Sequence, residues 1–217
     1  STSQTLLLTR KADQIGQASQ TIRNSGLTPT AMDLLSASAV QQLGLDPEVG
    51  LIIRWQTIAE SIEQQIEQVK AIARQLNLRS NDYQDQAEVD LWQKCAAITS
   101  IPNSDSATIC KIGIAPNTAI NFLQLKQVSN QDIACRIHAS SGIGNMQLKN
   151  SDSKTILDMR SYCQQNYGFL TIFESPKSLK QQIDIWGYKG NALKTMKAIK
   201  NQFDPQNILN PNRFLVP

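Results

Sequence analysis

The sequence predicts an α+β fold, an antiparallel sheet flanked by helices. Short Val/Ile/Leu-rich runs alternate with longer segments of helical period. The helices between paired runs are too short for a nucleotide-binding crossover, which argues against a doubly wound parallel sheet. With 217 residues and 41% hydrophobic content, the chain can bury a substantial core.

Thr5 to Thr9 reads as a strand, and Ala12 to Asn24 as a helix with Ile15, Ala18 and Ile22 on one side, stopped by Ser25-Gly26. Ala31 to Leu35 is the returning strand, and Gly44 to Pro47 marks the next break. Val49 to Trp55 is a strand. The strongest helix follows, its stripe formed by Ile58, Ile62, Ile66, Val69, Ile72 and Leu76. Glu60 and Glu63 at its start and Lys70 and Arg74 at its end suit the helix dipole. Such a stripe packs on a sheet far more often than it meets a partner helix. Asp85 to Thr99 is a connecting helix that ends before the Ile101-Pro102-Asn103-Ser104 loop.

The pattern then repeats. Thr108 to Ala115 is a strand, Asn117 to Lys126 a helix and Ile133 to His138 a strand, with Ile143 to Leu148 as its continuation after a Ser-Ser-Gly break. Ser153 to Gln165 is a helix and Gly168 to Glu174 a strand. Gly190 to Phe203 forms a last helix bearing Leu193, Met196 and Ile199, stopped by Asp204-Pro205, and the tail runs over the surface. The two passes predict ferredoxin-like halves over about residues 1–100 and 101–217, without a sequence repeat.

Composition excludes several functions. Lys plus Arg number 21 against 18 Asp plus Glu, a net charge of +3 that falls short of a nucleic-acid footprint. Cys95, Cys110, Cys135 and Cys163 stand far apart beside one histidine, so a zinc site is not expected and the thiols read as reduced and buried. No apolar stretch approaches the ~18 residues of a membrane span, and the start lacks a signal peptide's apolar segment. A cytoplasmic protein is expected, with any membrane association running through partner subunits.

Strand alternation places Cys110, Ile112 and Ile114 on one face and Ile109, Lys111 and Gly113 on the other. Ile133, Cys135 and Ile137 likewise leave Arg136 and His138 on the reverse face. If these strands pair, Lys111, Arg136 and His138 converge. Two cations beside an imidazole suit a small carboxylate, which they orient while the imidazole accepts a proton. A solvated sheet face is the commoner reason for such residues. The run His138 to Asn145, HASSGIGN, lets backbone approach a flat ligand closely, though its glycines also suit a hairpin or bulge. No glycine-rich phosphate cradle is visible.

That run, with the ending Phe203-Asp204-Pro205-Gln206-Asn207-Ile208-Leu209-Asn210-Pro211-Asn212-Arg213-Phe214 after Lys200, resembles the C-terminal domain of FAD-linked oxidases of the vanillyl-alcohol-oxidase type. The opening Thr5 to Leu8, the phrase Leu27 to Ala31 and the strand Gly168 to Phe173 are most similar to the glycolate oxidase E subunit, so the resemblance spans nearly the whole chain. It implies a cap domain over the isoalloxazine ring of FAD, the cofactor being held by an N-terminal domain that is absent here. It further implies oxidation of a small 2-hydroxy acid and, as partners, that FAD-binding domain and other subunits of a glycolate oxidase complex. Carried over by position, His138 is the catalytic candidate, Lys111 and Arg136 are substrate-binding, and Gly142, Gly144, Asn145, Asn210 and Arg213 are cofactor-binding. Metal-dependent relatives carry a His, a Gly-Asp-Gly-Asn run, a second His and a Glu-His pair. Here Ser141 stands in place of the aspartate, the second His is missing and Ser175 follows Glu174, so no metal is expected. The same departures favour an alternative, a non-catalytic scaffold subunit of a multi-subunit dehydrogenase. Without an initiating Met at Ser1, the chain reads as part of a longer polypeptide, inactive alone. A third reading, an RNA-binding module, is disfavoured because these three strands set no aromatic beside their basic residues.

Overall fold

The computed structural model describes residues 2–100, 107–129, 133–149, 152–188 and 190–211. Its elements run β1 (Thr2–Arg10), α1 (Ala12–Asn24), β2 (Ala31–Leu35), α2 (Ala37–Gln42), β3 (Val49–Thr57), α3 (Ala59–Gln75), β4 (Arg79–Gln84) and α4 (Asp85–Ile98). Then come β5 (Thr108–Gly113), a 3-10 turn (Pro116–Thr118), α5 (Ala119–Gln124), α6 (Lys126–Ser129), β6 (Ile133–His138), β7 (Ile143–Leu148), α7 (Ser153–Gln165), β8 (Phe169–Glu174), α8 (Lys177–Gln182) and α9 (Leu193–Phe203).

All eight strands form one antiparallel sheet in the order β4-β1-β3-β2-β6-β7-β5-β8, so the expected α+β class holds. Each four-strand half follows the ferredoxin-like order, and the second mirrors the first across the β2–β6 seam. Antiparallel sheets can leave one face in water. One face of this sheet is covered along its length by α1, α3, α5, α6 and α7, whose apolar sides join Leu6, Leu8, Ile53, Trp55, Cys110, Ile112, Cys135 and Ile137 in the larger core. On the opposite face, α2 and α4 bury Leu7, Leu35, Ile52 and Ala134 in a smaller core over the first half.

Four expectations change. Ile143–Leu148 does not continue the preceding strand; it turns back on it, because Gly142 adopts φ 70 and permits a tight reversal. The helix expected over Asn117 to Lys126 breaks at Leu125, whose backbone is extended. β4 went unread because Arg-Ser-Asn-Asp-Tyr-Gln has no apolar alternation; an edge strand can be polar. The short α2 was also missed, although Ser36 caps it by accepting from the Ala39 N–H at 3.3 Å.

Candidate functional site

Cross-strand register lines up the face left bare by α2 and α4. Arg136, Asn145, Lys111 and Thr171 form one row across β6, β7, β5 and β8, since Asn145 pairs with both Arg136 and Lys111, and Lys111 with Thr171. A second row contains Ile143, Gly113 and Phe169. A third contains Ala134, Gln147, Ile109 and Glu174, with Phe173 at a register shift in β8. Ile143 is 40% exposed and Phe173 53%, so this part of the face is open.

The structure assembles the expected residues differently from the sequence reading. The strands of Lys111 and Arg136 do not pair; β7 lies between them, putting the two backbones roughly 10 Å apart with Asn145 in the middle. The two cations are also unequal. Arg136 places Nε and a terminal nitrogen 2.8 and 2.7 Å from the Oδ2 of buried Asp33 and lies over the Trp92 ring at 5.0 Å. Arg54 repeats the arrangement, 2.7 Å from buried Glu88 and 5.4 Å from the same ring. Arg136 therefore brings its charge already neutralised. Lys111 has no ion-pair partner among the described residues, so it is the cation available to an anion on this face.

His138 stands beside Asp33 in the register. The Ser141 N–H donates to His138 Nδ1 at 3.2 Å, and Ser141 Oγ lies 3.1 Å from the same nitrogen. A nitrogen that accepts a backbone N–H carries no proton, so the neutral ring keeps its proton on Nε2 and offers a donor there. In this geometry Nδ1 is engaged by Ser141 and Nε2 is the ring nitrogen left to meet a ligand.

The glycines have local reasons. At Gly142 a Cβ would sit 1.7 Å from the Ile114 carbonyl oxygen, and the Ile114 N–H donates to the Gly142 carbonyl at 3.0 Å. Gly144 pairs with Ile137 and Ile112, residues of the helix-covered core, so it faces away from the open surface and serves close strand approach; a Cβ would lie 2.4 Å from the Arg136 carbonyl. Asn145 is exposed on the open face. Asn210 lies far along the chain at φ 46, and Arg213 lies outside the described residues.

The ending has its own architecture. Asp204 accepts from the Ile208 and Leu209 N–H groups at 2.8 and 2.9 Å and from Lys200, which also donates to the Leu209 carbonyl at 2.8 Å. The Lys200 hydrogen bond, reinforced by those two N–H groups, holds the Asp204 carboxyl below the usual range. The last helix forms over Leu193–Phe203, but α9 buries none of its residues, and Ile199 and Phe203 are 54% and 80% exposed.

Three contributors escaped the sequence reading. Thr171 joins the central row, while Phe173 and Glu174 line a cavity of about 690 Å³ with Asn145, Ile109, Thr99 and Ser100. Register alone brings them in. Phe169 and Phe173 also put aromatics on this face, which removes the compositional argument against base stacking. Among the described residues no group of three His, Cys, Asp or Glu side chains converges on a common point, and no helix is long and apolar enough to cross a membrane.

Residues 186–214 match the family model described as FAD linked oxidases, C-terminal domain, a stretch that takes in α9 and the Asp204 turn. No curated protein matches the chain. Among solved structures, p-cresol methylhydroxylase with substrate bound is similar at TM-score 0.66 and 11% identity, over 99% of this chain and 53% of that one. The 4-ethylphenol oxidase from Gulosibacter chungangensis, as an isoeugenol complex, is similar at 0.61 and 14%, over 99% and 54%. Alkyldihydroxyacetonephosphate synthase follows at 0.54 and 12%, over 98% and 44%. The chain thus spans about half the length of these proteins and shares their fold over that half.

Proposed function

We propose that this chain is the substrate-side cap of an FAD-linked oxidoreductase, acting on a small 2-hydroxy acid in the manner of a glycolate oxidase E subunit. The observation that carries the reading is the central row of the open sheet face, where unpaired Lys111 stands beside exposed Asn145. The match of residues 186–214 to the FAD-linked oxidase family and the fold shared with flavoenzyme halves support it.

The residues fit a planar ring. Among the described residues no helix covers the second half of this sheet face, where Ile143 and Phe169 give apolar contact and Lys111 and Asn145 give donors. No phosphate-cradling glycine motif exists in this sequence, so the nucleotide part of the cofactor belongs to the FAD-binding domain of a longer polypeptide. When bound, the flavin supplies the hydride acceptor. The chain's own residues do the orienting. Lys111 pairs with the substrate carboxylate by a charge-assisted bond, Asn145 hydrogen-bonds beside it, and His138 Nε2 donates to a substrate oxygen.

The test compares the 217-residue chain with the longer native polypeptide for flavin absorbance near ~450 nm and for glycolate turnover. Flavin and turnover in the longer form, with turnover lost on Lys111→Met while flavin stays, is the expected result. Absence of flavin from both forms overturns the reading. A second reading, a scaffold subunit, is favoured by the exposed apolar residues Ile199, Phe203, Ile208 and Leu209. It predicts that Phe203→Ser disrupts subunit assembly while Lys111→Met leaves complex turnover unchanged.

A further inference from the structure

We infer that a groove at the outer edge of β8 is a binding site for an uncharged aromatic ring. The groove, of about 630 Å³, is lined by Tyr167, Phe169, Trp186 and Tyr188 together with Gln164 and Thr171. That volume suits a small organic ligand. None of its described lining residues is ionised at neutral pH, so nothing there offsets the desolvation of a charged ligand. Four aromatic side chains offer the faces and edges that a further ring packs against.

The wall opposite β8 is built and fixed. Asp184 accepts from the Trp186 and Gly187 N–H groups, both at 2.9 Å, in a tight turn. Gln164 donates to the Gly187 carbonyl at 2.9 Å, Thr171 to the Trp186 carbonyl at 3.1 Å, and the Ile172 N–H to the Ile185 carbonyl at 2.8 Å. This wall is tied to both α7 and β8 before any ligand arrives, which lowers the ordering cost of binding.

Tyr167 supplies an independent observation. It follows the C-cap of α7 at φ 59, a left-handed position that glycine fills without strain and a bulky residue does not. Its side chain is 99% exposed and gains nothing by burial to offset the strain. The ring stands almost fully exposed at the rim of the groove, where a ligand would bury it. The groove shares Phe169 and Thr171 with the face proposed to meet the flavin, but binding of a ring to the 217-residue chain needs no flavin, so the two readings fail separately.

Titration of isotope-labelled chain with benzyl alcohol, followed by amide chemical shifts, tests it, with methyl glucoside and glycolate as controls. Saturable shifts at Tyr167, Phe169, Trp186 and Tyr188 with benzyl alcohol alone are expected. Tyr167→Gly should weaken binding roughly tenfold, the scale of one ring–ring contact, while raising the thermal midpoint because glycine relieves the backbone. Phe169→Leu should weaken binding similarly. Absence of saturable shifts at the groove, equal shifts with methyl glucoside, or undiminished affinity in both variants overturns the inference.

Discussion

Asp33 decides what Arg136 can do. The carboxylate is buried and the guanidinium partly exposed, so the pair is partly desolvated and its two members depend on each other. Asp33→Ala should cost about 2 kcal/mol, below the ~3–5 of a fully buried broken pair because Arg136 retains some contact with water. Urea unfolding measures that loss. Adding Arg136→Met should restore most of it, since the cost lies in an orphaned guanidinium; a double variant as unstable as the single one would show that Asp33 acts otherwise. This residue-scale fact was not legible in the sequence. Alternation in Ile133 to His138 correctly turns Arg136 to the less apolar face, but its neutralising partner is 103 positions away on β2. Lys111 was more legible, because strand alternation fixes its face and no partner elsewhere in the described chain alters its charge.

At the scale of elements, the β6–β7 hairpin holds the candidate site together, because it inserts the strand bearing Asn145 between the strands bearing Arg136 and Lys111. Its turn depends on one glycine. Gly142→Ala must place a Cβ at φ 70 and against the Ile114 carbonyl, a backbone atom of the neighbouring β5 end that cannot swing aside. The expected cost is about 2 kcal/mol or more, combining left-handed strain with the clash. It should come with faster amide exchange at Ile114, whose N–H donates to the Gly142 carbonyl. A variant of unchanged stability and exchange would mean that the turn relaxes freely. The Ser-Ser-Gly sequence announced a break but not its direction. Both a bent continuous strand and a reversal keep the alternation of apolar residues, and only pairing distinguishes them. The central strands were legible because burial on both faces writes long apolar runs, as in Leu6 to Leu8 and Leu51 to Ile53. β4 was not, since a polar edge strand leaves no such run.

Among the described residues the coverage is asymmetric: helices pack along one sheet face and on the other only over its first half, and the thiols report on the covered volumes. Cys110, Cys135 and Cys163 lie in the larger core and Cys95 in the smaller, all unpaired and buried. Burial pushes the Cys95 thiol up to about 11 and those of Cys110 and Cys163 to about 12, from the usual 9.0, with Cys135 raised further in the same direction. Folded-state values above the unfolded one mean that the unfolded chain loses these protons first. The stability they influence is therefore intact below pH 9 and declines as the pH climbs toward the folded values. Each thiol adds up to about 1.4 kcal/mol per pH unit to that slope. Urea unfolding from neutral to alkaline pH should show the decline, and Cys163→Ala should flatten it by one thiol's share whatever it does to stability at neutral pH. Native chain should also resist a thiol reagent at mildly alkaline pH while the unfolded chain reacts fully. A slope unmoved by Cys163→Ala would mean that solvent reaches this part of the core. The covered face would then be looser than its packing indicates, and the contrast between a sealed face and an open one, on which the assignment of the candidate site rests, would weaken with it.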